Sequence, residues 1–163
     1  MAISPRTRTH AVAWSAAIWS GVIAGAAFLV LEMIMVPLFL GDSMWAPPRM
    51  IGAIVMGQDV LPPPATFDFG IVMVAVIMHF ILSIVYAVVL ALIIGRMGMG
   101  AAIGVGAAFG LLLYLVNFYG FTAIFPWFAM ARNWVSIFAH IVFGMVAAWT
   151  YKRLAGRHPL AQA

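Results

Sequence analysis

The sequence predicts an all-α membrane protein, a bundle of four transmembrane helices with a short interfacial helix in the first outer loop. Hydrophobic residues make up 66% of the chain and charged residues only 7%, whereas soluble domains carry about 25% charged residues. Four apolar stretches are each long enough to cross the ~30 Å hydrocarbon layer, which takes about 20 helical residues. Because lipid takes the place of a large apolar core, we expect the 163 residues to form a single membrane domain.

The four predicted spans follow directly from the apolar stretches. Pro37 lies near the end of the first stretch, where it is expected to kink the helix or mark its exit. The spans are 13–40, 69–94, 100–125 and 134–151.

The first loop, residues 41–68, is the longest connection between spans and is rich in proline. Pro47 and Pro48 favour the start of a helix, whereas the three prolines at 62–64 favour an extended exit. We therefore expect a short interfacial helix over 48–56, with Trp45 at headgroup depth.

The distribution of positive charge predicts the orientation. Six Lys and Arg residues fall on the side of the termini and two on the other side. This distribution predicts a bacterial inner-membrane protein with both termini in the cytoplasm. Because these charges are scattered at helix ends, a nucleic-acid-binding surface is not expected. The six residues on the side of the termini are Arg6, Arg8, Arg96, Lys152, Arg153 and Arg157, and the two on the other side are Arg49 and Arg132.

The chain has no cysteine, which excludes disulfides and thiolate sites.

Glycines at helical spacing predict close helix packing. The connection at 95–99 is short, so the second and third spans are expected to be antiparallel neighbours. Small residues four apart let helix backbones approach each other in lipid. The glycines serve packing within the chain or, alternatively, a homo-oligomer interface. They are Gly21 and Gly25 in the first span and Gly100, Gly104, Gly106 and Gly110 in the third.

Polar side chains inside the spans form one predicted layer, made of Glu32, His79, Asn117 and His140. At about 1.5 Å of rise per residue, all four lie about 3–9 Å from the midplane on the outer side. Ionisable groups at this depth normally face the bundle interior and find partners.

Three interpretations of this layer stay open. In the first, Glu32 pairs with one histidine and Asn117 with the other in a structural network. In the second, the carboxylate and imidazoles form a proton or cation pathway. In the third, Glu32, His79 and His140 bind a divalent metal, or the histidines bind a b-type haem. No HExxH or ExxH motif supports the metal directly.

Aromatic and polar residues of the outer loops form a second candidate binding region. The two arginines are expected to pair with Asp42, Asp59 and Asp68, or else to bind a lipid headgroup, a quinone or a partner subunit. The candidates are Trp45, Arg49, Trp127, Arg132, Asn133 and Trp134.

No nucleophile elbow, phosphate-binding loop, dinucleotide fingerprint or metallohydrolase motif is present in the sequence, so nothing in it points to catalysis. The leading hypothesis is an accessory or interaction subunit of a membrane complex. The alternative is a small protein that handles protons or cations, or binds haem or a metal, through its Glu/His layer.

Three segments carry a family resemblance: Trp45–Met50, Leu61–Asp68 and Asn117–Trp134. They resemble a family of small bacterial four-helix inner-membrane proteins of unknown function, some of which carry an automatic sodium:proline symporter label. A symporter of that kind has many more helices than fit here. The resemblance implies the fold and the location, and it assigns no role to any residue.

Overall fold

A computed structural model describes residues 12–63 and 65–156 of the chain. Its described part is helical, and four helices are long and apolar enough to cross a membrane. Helix α1 covers Trp14–Met35, α2 Ala46–Met56, α3 Phe69–Ile94, α4 Met99–Leu115 and α5 Trp134–Ala155.

Consecutive spanning helices run in opposite directions, which gives the bundle two distinct ends. The α2 end carries α2, the connections around it and residues 121–133. The terminal end carries the start of α1, the short connection at 95–98 and the end of α5. Arg6, Arg8 and Arg157, used above to predict orientation, lie outside the described residues.

The predicted spans agree with the observed helices to within a few residues. The first ends as a π-helical segment, Val36–Leu40, with Pro37 in its first turn, and Gly41 closes it at a φ of 72°. The third likewise continues from α4 into a π-helical segment, Val116–Gly120. The fourth extends one turn beyond the predicted Tyr151, because Lys152 and Arg153 sit in its last turn and the helix continues past its apolar stretch.

The short helix predicted in the first loop is present as α2, which begins at Ala46 with proline in its first turn. It packs mainly against α3. The indole Nε1 of Trp127 donates a 3.0 Å hydrogen bond to the carbonyl of Met50. This bond ties the short 3₁₀-helix Pro126–Ala131 to α2.

The order of the helices in the bundle differs from the prediction. The main contacts are α4 with α5, α5 with α1, and α1 with α3, whereas α3 and α4 hardly touch. The second and third spans are antiparallel, as predicted, but they do not pack against each other along their length. Their short connection holds them together at one end only, because each packs more closely on another helix.

The glycines explain this order. A Cβ added at Gly21 would lie 2.6 Å from the Cα of Ile84, so α1 and α3 are in backbone contact. A Cβ at Gly106 would lie 2.9 Å from the carbonyl carbon of Gly144, so α4 and α5 are equally close. By contrast, a Cβ at Gly100 or Gly104 would meet nothing within 4 Å.

Candidate functional site

A cavity of about 250 Å³ occupies the α2 half of the bundle. All four spanning helices and α2 contribute to its wall. An engineered apolar cavity of about 150 Å³ is enough to bind benzene, so this volume accommodates a ring with a short chain. All four residues of the predicted polar layer line it: Glu32, His79, Asn117 and His140.

Helical spacing explains how these side chains converge. On α1 and its π-helical extension, the lining residues Phe28, Glu32, Val36 and Leu40 are each four apart, so they share one face. On α5 the residues Asn133, Ser136, His140 and Phe143 follow the same helical period. This helical spacing is visible in the sequence and marks the apolar wall, although only the polar residues were predicted to form a site.

Asn117 and His140 belong to a hydrogen-bonded chain across three helices. The Tyr86 hydroxyl donates to Asn117 Oδ1 at 2.9 Å. Asn117 Nδ2 lies 3.2 Å from His140 Nε2, and His140 Nδ1 lies 2.7 Å from the carbonyl of Ser136. Asn117 therefore pairs with one histidine, as the structural-network interpretation predicted.

The direction of these bonds determines the protonation of His140. The carbonyl of Ser136 only accepts, so His140 Nδ1 carries the proton. Asn117 Oδ1 accepts from Tyr86, so the amide NH₂ of Asn117 donates to His140 Nε2. In this arrangement His140 is a neutral imidazole, with Nδ1 donating and Nε2 accepting.

His79 forms a separate set of contacts. Its Nε2 lies 3.0 Å from the carbonyl of Gly25 and 3.3 Å from Ser83 Oγ. Phe28 packs against the rings of both histidines, with centroids 5.5 Å from His79 and 4.9 Å from His140. His79 thus fixes the contact of α3 with α1.

Glu32 differs from the rest of the layer. Its side chain is buried, with 5% of its surface exposed, and its Oε1 has no hydrogen-bond partner within the described ranges. The expected pairing of Glu32 with a histidine is therefore wrong for this oxygen: His79 bonds to Gly25 and His140 to Asn117. A buried polar atom without a partner is costly. Among the described residues that line the cavity, Oε1 of Glu32 is the fully buried side-chain atom without a hydrogen-bond partner.

The metal and haem interpretations gain no support from this geometry. Within 12–63 and 65–156, no three or more His, Asp or Glu side chains lie close enough together to hold a metal ion. Glu32, His79 and His140 share the cavity without forming a three-ligand site. The Nε2 atoms of both histidines also have protein partners, which axial ligation of a haem iron would displace.

Arg49 and Arg132 do not bond to the aspartates, contrary to the prediction. Arg49 is buried and donates to the carbonyls of Thr66 at 2.9 Å and Val60 at 3.1 Å. Arg132 donates to the carbonyl of Phe118 at 2.7 Å and lies over the ring of Tyr119. Asp68 instead caps α3 by accepting from the backbone N–H of Ile71.

The other candidates from the connecting segments mostly stabilise the α2 end. Trp45 packs on Phe67, and Trp134 packs on Phe39. Asn133 caps α5 through its bond to the N–H of Ser136 and is the one member of the predicted set that lines the cavity. Arg49, Arg132, Trp127 and Asn133 bond to backbone groups that need partners, and Trp45 and Trp134 pack on neighbouring rings, so these residues stabilise the fold.

Two π-helical segments border the cavity, one contributing Val36 and Leu40 and the other Asn117 and Phe118. Such segments are rare and frequently occur at functional sites. The π-helical backbone and the polar side chains therefore both mark this cavity as a candidate site.

No protein family model, curated protein or solved structure matches this chain.

Proposed function

We propose that this polytopic membrane protein binds an amphiphilic small molecule in the cavity at its α2 end. The observation that carries the proposal is the Oε1 atom of Glu32, which is buried without a partner in the wall of a largely apolar cavity. Binding pockets for small molecules are typically apolar with a few polar groups that fix orientation. In this proposal, the Glu/His layer recognises the polar head of the bound molecule. The sequence analysis predicted the same layer as a site that handles protons or cations.

The test compares two phenylalanine substitutions on the same helix. Val36→Phe places a ring in the cavity wall, whereas Ile34→Phe adds a ring on the exposed side of α1. Thermal unfolding in mild detergent is recorded with single-ring amphiphiles that carry ammonium, carboxylate or hydroxyl heads, and with a headless analogue. We expect at least one compound to raise the Tm of the wild type and Ile34→Phe, with the effect lost in Val36→Phe.

Two results would contradict this function. Either no compound shifts the Tm of the wild type, or Val36→Phe responds as strongly as Ile34→Phe. Mass spectrometry of molecules that co-purify with the wild type gives an independent readout. A co-purifying amphiphile that is absent from Val36→Phe supports the proposal.

The accessory-subunit function predicted from the sequence is a second candidate. It is favoured by Gly100 and Gly104, which leave open space on the exposed side of α4, where a neighbouring helix from another subunit or a second copy fits. Gly104→Leu is expected to abolish co-purification of such a partner. The control is Ala26→Leu, which enlarges an exposed small residue on α1. Equal recovery with both variants contradicts this function.

We further propose that the membrane is a bacterial inner membrane and that the terminal end is cytoplasmic. Three described positive residues, Arg96, Lys152 and Arg153, lie at the terminal end, against Arg49 and Arg132 at the α2 end. Positive loops favour the cytoplasm. The resemblance to small bacterial inner-membrane proteins supports the same location, and the cavity then lies in the outer half of the membrane.

A further inference from the structure

We infer that the ligand of the cavity is an organic cation: an aromatic or short alkyl chain that ends in a protonated amine. This inference rests on the proposed function, because it names the chemical class of the molecule bound in the same cavity. It follows from the charges, the hydrogen bonds and the rings of the cavity wall.

Among the described residues, the cavity wall carries carboxyl side chains and no lysine or arginine. The carboxyl side chains are those of Glu32 and Asp42. Within hydrocarbon, a carboxylate is stabilised by a cation or a hydrogen-bond donor. An ammonium group offers both, since it carries a positive charge and up to three N–H donors.

The histidines of the wall do not take this role for Oε1 of Glu32. The hydrogen-bond directions make His140 neutral, with both ring nitrogens used by Ser136 and Asn117. His79 uses its Nε2 on Gly25. Neither histidine therefore partners Oε1 of Glu32, and the Glu32 side chain lines the cavity.

The nearby arginines are also committed elsewhere. Arg49 bonds to the 60–66 segment through three contacts with Val60 and Thr66. Arg132 bonds to Phe118 and Thr122. Neither arginine lines the cavity, so within the described ranges no lysine or arginine side chain competes with the ligand.

Aromatic rings make up much of the remaining wall. A cation is attracted to the face of an aromatic ring, and this attraction strengthens when water is excluded. A neutral or anionic head gains nothing comparable. The rings belong to Phe28, Tyr86, Phe118, Phe121, Phe125, Phe128 and Phe143.

The same wall disfavours an inorganic cation. Metal ions such as Ca²⁺ and Mg²⁺ require about six oxygen ligands, and the described residues contain no cluster of three or more His, Asp or Glu side chains suited to a metal. An ammonium group on an apolar chain needs only one carboxylate and the rings. The organic cation therefore fits the cavity better.

The experiment uses three probes of similar size. They are 2-phenylethylammonium, its neutral analogue propylbenzene and the anion 3-phenylpropanoate. Binding to the full-length protein in detergent at neutral pH is measured by calorimetry and by the Tm shift. We expect 2-phenylethylammonium to bind at least tenfold more tightly than either analogue.

Glu32→Gln keeps the shape of the side chain and removes its charge, so it is expected to weaken binding of the ammonium probe at least tenfold. Asp59→Asn is the matched control, because Asp59 is exposed and does not line the cavity. It is expected to leave affinity unchanged. If Glu32→Gln fails to fold, the comparison of the three probes on the wild type decides the question.

The outcomes separate this inference from the proposed function. If the neutral or anionic probe binds as tightly as the ammonium, or if Glu32→Gln retains full affinity, the cavity binds amphiphiles but the cation inference is overturned. If no probe binds the wild type, and Val36→Phe does not weaken the Tm response to any amphiphile, both the cation inference and the proposed function are overturned.

Discussion

The amide nitrogen of Asn117 lies 3.2 Å from Nε2 of His140, and this contact joins α4 to α5 in the cavity wall. Tyr86 extends the chain to α3 through its bond to Asn117. Because α3 and α4 otherwise make few contacts, this series of hydrogen bonds is their main polar link in the α2 half of the bundle.

We predict that Tyr86 and Asn117 are energetically coupled. In a double-mutant cycle with Tyr86→Phe and Asn117→Leu, the coupling energy is expected to be about 0.6 kcal/mol, the mean for hydrogen bonds between membrane helices. Unfolding in mixed micelles by denaturant measures it. Tyr151→Phe is the control, because Tyr151 lies in the core of the terminal half. A cycle that closes with no coupling, or one equal to that of Tyr151→Phe with Asn117→Leu, contradicts the prediction.

Two glycines of α4, Gly104 and Gly106, are two residues apart and so lie on opposite sides of the helix, and they are predicted to respond differently to alanine. At Gly106 an added Cβ would lie 2.8 Å from Ala148 Cβ, so Gly106→Ala is expected to separate α4 from α5 and to lower the free energy of unfolding by about 1–3 kcal/mol. At Gly104 the Cβ meets open space. Gly104→Ala is expected to be neutral or to stabilise by up to about 1 kcal/mol through helix propensity. Equal Tm values for the two variants would show that the α4–α5 contact is looser than described.

The buried arginine is predicted to matter more for stability than the exposed one. Arg49→Gln removes charged hydrogen bonds to the carbonyls of Val60 and Thr66, each worth about 1.5–3 kcal/mol. Arg132→Gln removes bonds made by an exposed side chain. Its effect on stability is therefore expected to be smaller. Limited proteolysis of the 57–68 connection reads out the local loss. Faster cleavage in Arg132→Gln than in Arg49→Gln is the result that speaks against this ranking.

The orientation is testable by cysteine labelling, because the chain has no native cysteine. Gln58→Cys lies at the α2 end and Arg96→Cys at the terminal end. In intact spheroplasts, a membrane-impermeant maleimide is expected to label Gln58→Cys, and Arg96→Cys only after lysis. The reverse pattern would place the termini outside.

Much of the architecture was predictable because it depends on local sequence. The apolar stretches and their lengths predicted all four spans, and Pro47 and Pro48 predicted the start of α2. The polar layer was predictable too, since Glu32, His79, Asn117 and His140 interrupt apolar helices. All four line one cavity of the bundle.

The pairings could not be predicted in the same way. His79 bonds to the backbone of Gly25, and Arg49 bonds to backbone carbonyls in place of the aspartates. Backbone acceptors exist at every residue and leave no mark in the sequence. Only their position in the folded chain shows which side chain reaches them.

The sequence by itself determined that this chain crosses the membrane four times and that one layer of polar side chains lies within the spans, because transfer into lipid depends on composition and length. The tertiary structure decided which helices touch and which oxygen has no partner. Gly106 and Gly144 bring α4 to α5, while Gly21 brings α1 to α3, so α3 and α4 separate beyond their short connection. The physical reason is close packing, since backbones approach only where small residues from two helices meet at the same height. That arrangement contributes to the cavity in which Glu32 is buried.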